Sequence, residues 1–66
     1  MILRINGKDE RLEERSNLDS LVSNKGLNRE RVIIEHNLEI IPRDRWQDVF
    51  PSDGDNIEIV KFMGGG

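Results

Sequence analysis

An α+β fold, a mixed sheet of about five strands packed on one short helix, is predicted by three observations. Short alternating or β-branched segments open the chain, fill its middle and close it. Only one segment carries helical spacing, and it falls between the second and third of these strands. The turn signals between segments are dense, and no repeat, linker or second domain interrupts the order.

Met1 to Asn6 reads as a strand, with Met1, Leu3 and Ile5 on one face and Arg4 and Asn6 on the other. Asn6-Gly7 is a hairpin signal, because both residues tolerate the positive φ of a type I′ turn. The returning strand, Lys8 to Glu14, has Leu12 as its one apolar residue and reads as a charged edge strand. Ser16 or Asn17 can cap a helix, and Asp19 stands three residues after Ser16, as in a capping box. Leu18, Leu21 and Val22 have the spacing of one buried helical face, and Gly26 follows Lys25 as a stop, so the helix is expected over residues 18–25.

The run Val32-Ile33-Ile34 reads as a strand with neighbours on both sides. A turn at Asn37-Leu38 leads to Glu39-Ile40-Ile41, which Pro42 halts. Pro42 to Phe50 reads as a loop or single helical turn that either folds Trp46 onto the core or presents it with Arg43, Asp44 and Arg45 as a docking surface. Pro51-Ser52-Asp53-Gly54 is a turn. In the last strand, Asn56 to Phe62, Ile57 and Ile59 alternate against Glu58, Val60 and Phe62. This order fits a β-grasp over residues 1–62, with the first and last strands side by side and parallel, followed by a flexible tail over 63–66.

A chain of 66 residues buries only about 60% of the surface it exposes when unfolded, which leaves no room for an enclosed active site. The net charge of −3 comes from 13 acids and 10 bases dispersed along the chain, which disfavours a nucleic-acid partner. There is no cysteine, so disulfides, thiolate metal sites and thiol nucleophiles are excluded, and a reducing cytoplasm is the expected setting. No apolar run has the length of a membrane span, and the start of the chain lacks the pattern of a secretion signal.

The terminal Gly64-Gly65-Gly66 leaves two readings open. It is a frayed end, or it is a tail that enters a narrow slot in a partner, where the missing Cβ lets the backbone approach a nucleotide closely. Residues 63–66, fully extended, would reach roughly 14 Å beyond the last strand. A carboxylate at Gly66 is a poor acyl donor, because its charge resists attack and oxide is a poor leaving group, so transfer chemistry there needs activation by a partner. Val60 and Phe62 fall on the sheet face away from the helix and, joined by Ile2 or Ile33, would form an apolar docking patch beside the tail. His36 has no companions for metal or catalytic work and reads as a surface residue. Glu13-Glu14 reads as a solvated edge, with no pocket to perturb it.

Three stretches, ILRINGK, IIEHNLEIIPRDRW and DGDNIEIVKFMGGG, together resemble the ThiS family of ubiquitin-like sulfur carriers from end to end. The third is the most specific, with its Asp-Gly-Asp turn, alternating strand and terminal glycines. Leu38 stands where many members carry Gly, and Met63 where Val is common. The resemblance implies that a ThiF-like enzyme uses ATP and Mg²⁺ to adenylate Gly66. Sulfur drawn from cysteine, through a donor such as a cysteine desulfurase, would then leave a thiocarboxylate, which a ThiG-like thiazole synthase consumes in making the thiazole of thiamin. By that analogy Gly66 carries the sulfur, Gly64 and Gly65 thread the tail, and Val60 and Phe62 dock partners, with no metal or cofactor bound to the carrier and no catalysis by it. The rival readings are a MoaD-like small subunit of molybdopterin synthase, a ubiquitin-like protein modifier and a β-grasp interaction module without chemistry.

Overall fold

In the computed structural model, which describes residues 1–62, the chain forms a five-stranded sheet crossed on one face by a single helix. The strands are β1 (Ile2–Ile5), β2 (Lys8–Arg11), β3 (Val32–His36), β4 (Glu39–Ile41) and β5 (Asn56–Lys61), and the helix α1 spans Leu18–Asn24. Sheet order is β2-β1-β5-β3-β4. β1 and β5 pair in parallel, and the other three pairings are antiparallel. The last strand therefore lies in the middle of the sheet beside the first, as a β-grasp requires.

Alternation decides which side chains fill the core. Leu3 and Ile5 of β1, Val32 and Ile34 of β3, and Ile57 and Ile59 of β5 face α1, where Leu18, Leu21 and Val22 meet them. Trp46 completes this cluster from a 3₁₀ segment over Arg43–Asp48. Its indole Nε1–H donates to the Ile41 carbonyl at 2.9 Å, so its one polar atom is satisfied while the ring is buried. Of the two sequence-based readings of Trp46, the core reading is the one observed. Arg43 is likewise turned inward: its Nε donates to the Arg29 carbonyl at 2.6 Å and one Nη to the Val32 carbonyl at 3.3 Å, pinning the segment to the start of β3.

The helix is held at both ends by local chemistry. Asn17, and not Ser16, is the N-cap, its side-chain oxygen accepting from the Ser20 N–H at 2.8 Å. The Asn17 amide also donates to the Gln47 carbonyl at 3.1 Å, thirty positions on, whereas the Ser16 hydroxyl donates locally to the Glu14 carbonyl. Asp19 serves no capping box; it pairs with Arg29 at 3.1 Å. At the other end Gly26, at φ +69, lets its own N–H bond the Ser23 carbonyl and the Leu27 N–H bond the Val22 carbonyl, the Schellman arrangement that ends a helix. β2 stops at Arg11, three residues before the expected end, and β5 stops at Lys61, one residue before. No helix among the described residues is long and apolar enough to cross a membrane.

Candidate functional site

β5 delivers the chain from a hydrogen-bonded turn at one end of the sheet to the tail at the other. The entry turn is fixed first. The Ile2 N–H donates to Asp53 Oδ1 at 2.6 Å, and the Gly54 N–H donates to the Ile2 carbonyl at 2.7 Å, binding the turn to β1. Asp55 Oδ2 accepts from the Ser52 N–H at 2.8 Å and lies 2.8 Å from His36 Nε2 on β3. These bonds, that from His36 first and that from Ser52 second, hold the Asp55 carboxyl below its ordinary value of 3.8 against the opposing effect of burial. His36 is therefore half-buried and bonded to Asp55, which corrects the sequence-based reading of a free surface residue. The two are 19 positions apart, and only the strand register brings them together. Among the described residues no group of three His, Cys, Asp or Glu side chains converges as a metal site.

At the exit end the outer face of the sheet carries apolar side chains. Val60 is 55% and Phe62 is 38% exposed. Ile33 on β3 lies directly opposite Val60 and is exposed as well. Val60 and Ile33 thus form an apolar patch on this face, while Phe62, beyond the last residue of the strand, lies against the helix-side residues Leu27, Val32 and Lys61. Ile2 is not part of it. The parallel pairing sets Arg4 against Asn56 and Ile5 against Ile57, so Ile2 sits beside the entry turn, near the far end of the sheet from Val60. Ile40 on β4, opposite Glu35 and exposed, extends the apolar surface on its other side; alternation in a three-residue strand is too brief a signal to have revealed it. Phe62 continues the ladder by one bond, its N–H donating to the Arg31 carbonyl at 2.9 Å. It lines a shallow depression with Leu27, Asn28 and Arg31. Gly64, Gly65 and Gly66, expected to thread and to carry the reactive carboxylate, lie outside the described residues.

This arrangement suits a protein that is acted upon. A central strand anchored at its start ends beside an apolar face that a partner can cover, and the described residues form an open surface at that point and no enclosed cleft.

Comparison with known proteins bears on the same features. The model of the ThiS family matches residues 3–66. The chain is 39% identical to the sulfur carrier protein ThiS of Bacillus subtilis, over 98% of this chain and all of that one. It is 38% identical, over its full length, to a thiazole synthase of Paramagnetospirillum magneticum, of which it spans only 20%. Among solved structures, the crystal structure of a thiamine biosynthesis protein (ThiS) from Geobacter metallireducens is similar with a TM-score of 0.85 and 35% identity, each chain covered completely.

Proposed function

Because this chain belongs to the ThiS family, we propose that it is the sulfur carrier of thiamin biosynthesis, a protein co-substrate whose sulfur is held as a thiocarboxylate at Gly66. The observation that carries the reading is the match of the family model through the glycine tail to residue 66, on a chain whose fold aligns over its full length with that of a ThiS protein.

The chemistry follows from what a carboxylate lacks. An oxygen of the Gly66 carboxylate attacks the α-phosphorus of ATP, held with Mg²⁺ by a ThiF-like adenylating enzyme, and pyrophosphate leaves. The acyl adenylate then has AMP as a leaving group, and the terminal sulfur of a donor-protein persulfide, formed from cysteine by a desulfurase, displaces it to give an acyl disulfide. A second thiol attacks the donor's sulfur, releasing the thiocarboxylate and leaving a disulfide on the donor. A thiazole synthase consumes the thiocarboxylate. The carrier's own residues do three things: the sheet holds β5 in place, Gly64 and Gly65 allow the backbone into a narrow slot without a Cβ to obstruct it, and Val60 and Phe62 give the partner an apolar surface. Ordering three glycines costs on the order of 3–6 kcal/mol of backbone entropy, so contacts on the folded body must contribute the binding energy that the tail does not.

The similarity to a thiazole synthase that is five times longer supports that enzyme class as a partner and favours the thiazole route over the molybdopterin one. The setting we assign is the cytoplasm, where ATP and cysteine are supplied; a chain without cysteine needs no oxidising compartment. The test is the intact mass of the carrier after incubation with ATP, Mg²⁺, the adenylating enzyme and a cysteine-fed sulfur donor. Replacement of one oxygen by sulfur is expected, located at Gly66 by fragmentation and abolished by removing Gly65-Gly66 while the melting curve stays the same. An unmodified carrier beside an adenylating enzyme that is active on another ThiS protein would overturn the reading.

A further inference from the structure

The outer face of the sheet holds a pair of like charges that the fold itself leaves unresolved. The antiparallel register of β3 and β5 sets Glu35 directly opposite Glu58. Both point away from α1, since Ile34, Ile57 and Ile59 on either side of them fill the core, and both are only half exposed. Opposed residues in such a pair have Cβ atoms about 4.5–5.5 Å apart, and like charges there destabilise the sheet. Among the described residues neither carboxylate has an ion-pair partner. The cations nearby are differently disposed: of those that line a depression with Glu58, Lys25 is paired with Glu10 at 2.7 Å and Lys8, opposite the core residue Ile5, is on the helix side of the sheet. Arg4 on the same face is 3.7 Å from Asp9. Lys61, opposite the buried Val32, is on the helix side of the sheet. Arg31 precedes β3, with the Ile33–Val60 row between it and the acids.

Toward the exit and toward β4 the surface beside this pair is apolar, while toward the entry it is bordered by Asn37, Asn56 and Asn6. Ile33 and Val60 flank it along the strands, and Ile40 stands across from Glu35 on β4, all three exposed. A purely apolar partner would strip water from two unpaired carboxylates without compensation, which is costly enough to reject it. A partner that brings a positive charge reverses the sign. Guanidinium fits the geometry better than ammonium, because its planar fork of five N–H donors can bond two carboxylates at once, whereas ammonium is a compact, strongly hydrated point charge.

We infer that this face docks a thiazole synthase through an arginine of the synthase inserted between Glu35 and Glu58, with Ile33, Ile40 and Val60 closing around it. The inference rests on the proposed carrier role for the identity of the partner, the synthase being the partner class with which this chain shares sequence. The glutamates, costly in the free carrier, become complementary in the complex, so the face selects a cationic apolar surface and repels a neutral one.

Calorimetric titration of purified thiazole synthase with the full chain tests this, using Glu35→Gln, Glu58→Gln and the double variant. Each single change is expected to weaken binding at least tenfold, with little further loss in the double variant because one guanidinium serves both acids. The free variants should melt at the same temperature as the original or above it, the repulsion having been removed. Equal affinity for all four proteins would overturn the docking inference and leave the carrier role standing. Weaker binding accompanied by a lower melting temperature would also overturn it, as a structural effect. Failure of the unsubstituted chain to bind, when the sulfur-loading assay succeeds, would remove the synthase as partner and this inference with it. Stabilisation of the original chain by Mg²⁺ alone, absent in Glu58→Gln, would reassign the pair to a cation and overturn the arginine.

Discussion

Where β5 begins the chain is tied on both sides, the Arg4 N–H bonding the carbonyl of Asp55, just before the strand, at 2.9 Å and the Asn56 N–H bonding Asn37 Oδ1 at 2.8 Å, while beyond its last residue a bond from Phe62 to the Arg31 carbonyl keeps the chain on the sheet. Six residues, or roughly 17 Å of strand, separate the two conditions. The entry is built from residues with polar atoms at short reach, Ser52, Asp53, Asp55, His36 and Asn37, each bonded to backbone or to another of the set. Its exit is built from Val60 and Phe62, which the chain itself leaves half-covered or open. The difference separates two tasks: the entry determines where β5 lies, and the exit determines what can approach it. Substitutions at the entry should cost stability and spare partner binding, and those at the exit should do the reverse.

The largest stability effect is expected at Asp55. Asp55→Ala removes the acceptor of the Ser52 N–H and the partner of His36, and bonds to charged groups contribute about 1.5–3 kcal/mol. For a domain of this size each kcal/mol corresponds to about 4–8 °C in melting temperature, so thermal unfolding should show the loss plainly while affinity for a partner at the exit is unchanged. The effect is pH-dependent with a defined sign. Asp55 has a lowered pKa in the folded state, so it contributes stability above its ordinary value of 3.8 and loses that contribution as pH falls through the lower folded value. The stability gap between the original chain and Asp55→Ala, measured by denaturant titration, should shrink as pH falls below 3.8. A gap that persists unchanged in acid would show that the carboxylate is not what secures the turn.

At the exit the expected outcome is inverted. Val60→Ser and Val60→Thr change a side chain that is 55% exposed and should move stability by no more than about 0.5 kcal/mol, yet each should weaken partner binding, Val60→Ser about tenfold, equivalent to 1.4 kcal/mol. Measured side by side with Asp55→Ala, they test the separation directly: an exit variant that unfolds readily, or an entry variant that loses its partner while still folded, would break it.

How much of this could be read from residues alone depends on whether register was needed. The strands, the helix and the exposed Val60 are legible because alternation and helical spacing are local properties of a few neighbours. Trp46 is legible as core for a different reason, since a small domain has few other large apolar groups. What is not legible is what lies opposite what. Ile2 and Ile33 are equal candidates for the patch by alternation alone, and register decides for Ile33, since Ile33 lies opposite Val60 while the parallel β1–β5 pairing begins at Arg4 and Asn56. The Asp55–His36 bond and the Glu35–Glu58 opposition each join residues at least 19 positions apart, and no spacing rule connects them. The choice of Asn17 over Ser16 as cap depends in the same way on Gln47, thirty positions on. The tail was legible as composition and as a family resemblance, and its geometry lies outside the described residues.

The smallest effect concerns the entry end again, where the Asn37-Leu38 turn stands beside the turn that holds β5. Both two-residue hairpin turns of the sheet have positive φ at both positions, Asn6 and Gly7 at 52 and 80, Asn37 and Leu38 at 49 and 72. Asn6-Gly7 meets this geometry without strain, whereas Leu38 places a Cβ against its own carbonyl, at about 1–2 kcal/mol. Leu38 is 85% exposed, so burial does not offset that strain. Leu38→Gly should relieve it, less the roughly 0.5–1 kcal/mol that glycine's greater freedom in the unfolded chain costs, for a net gain of about 0.5–1 kcal/mol in denaturant titration. The reciprocal change, Gly7→Ala, has open space for its Cβ and should still lose stability, because the penalty is one of backbone conformation and not of contact. If Leu38→Gly lowers stability, the leucine contributes something that its exposure does not reveal, and the entry end would then share the exit's character of a surface awaiting a partner.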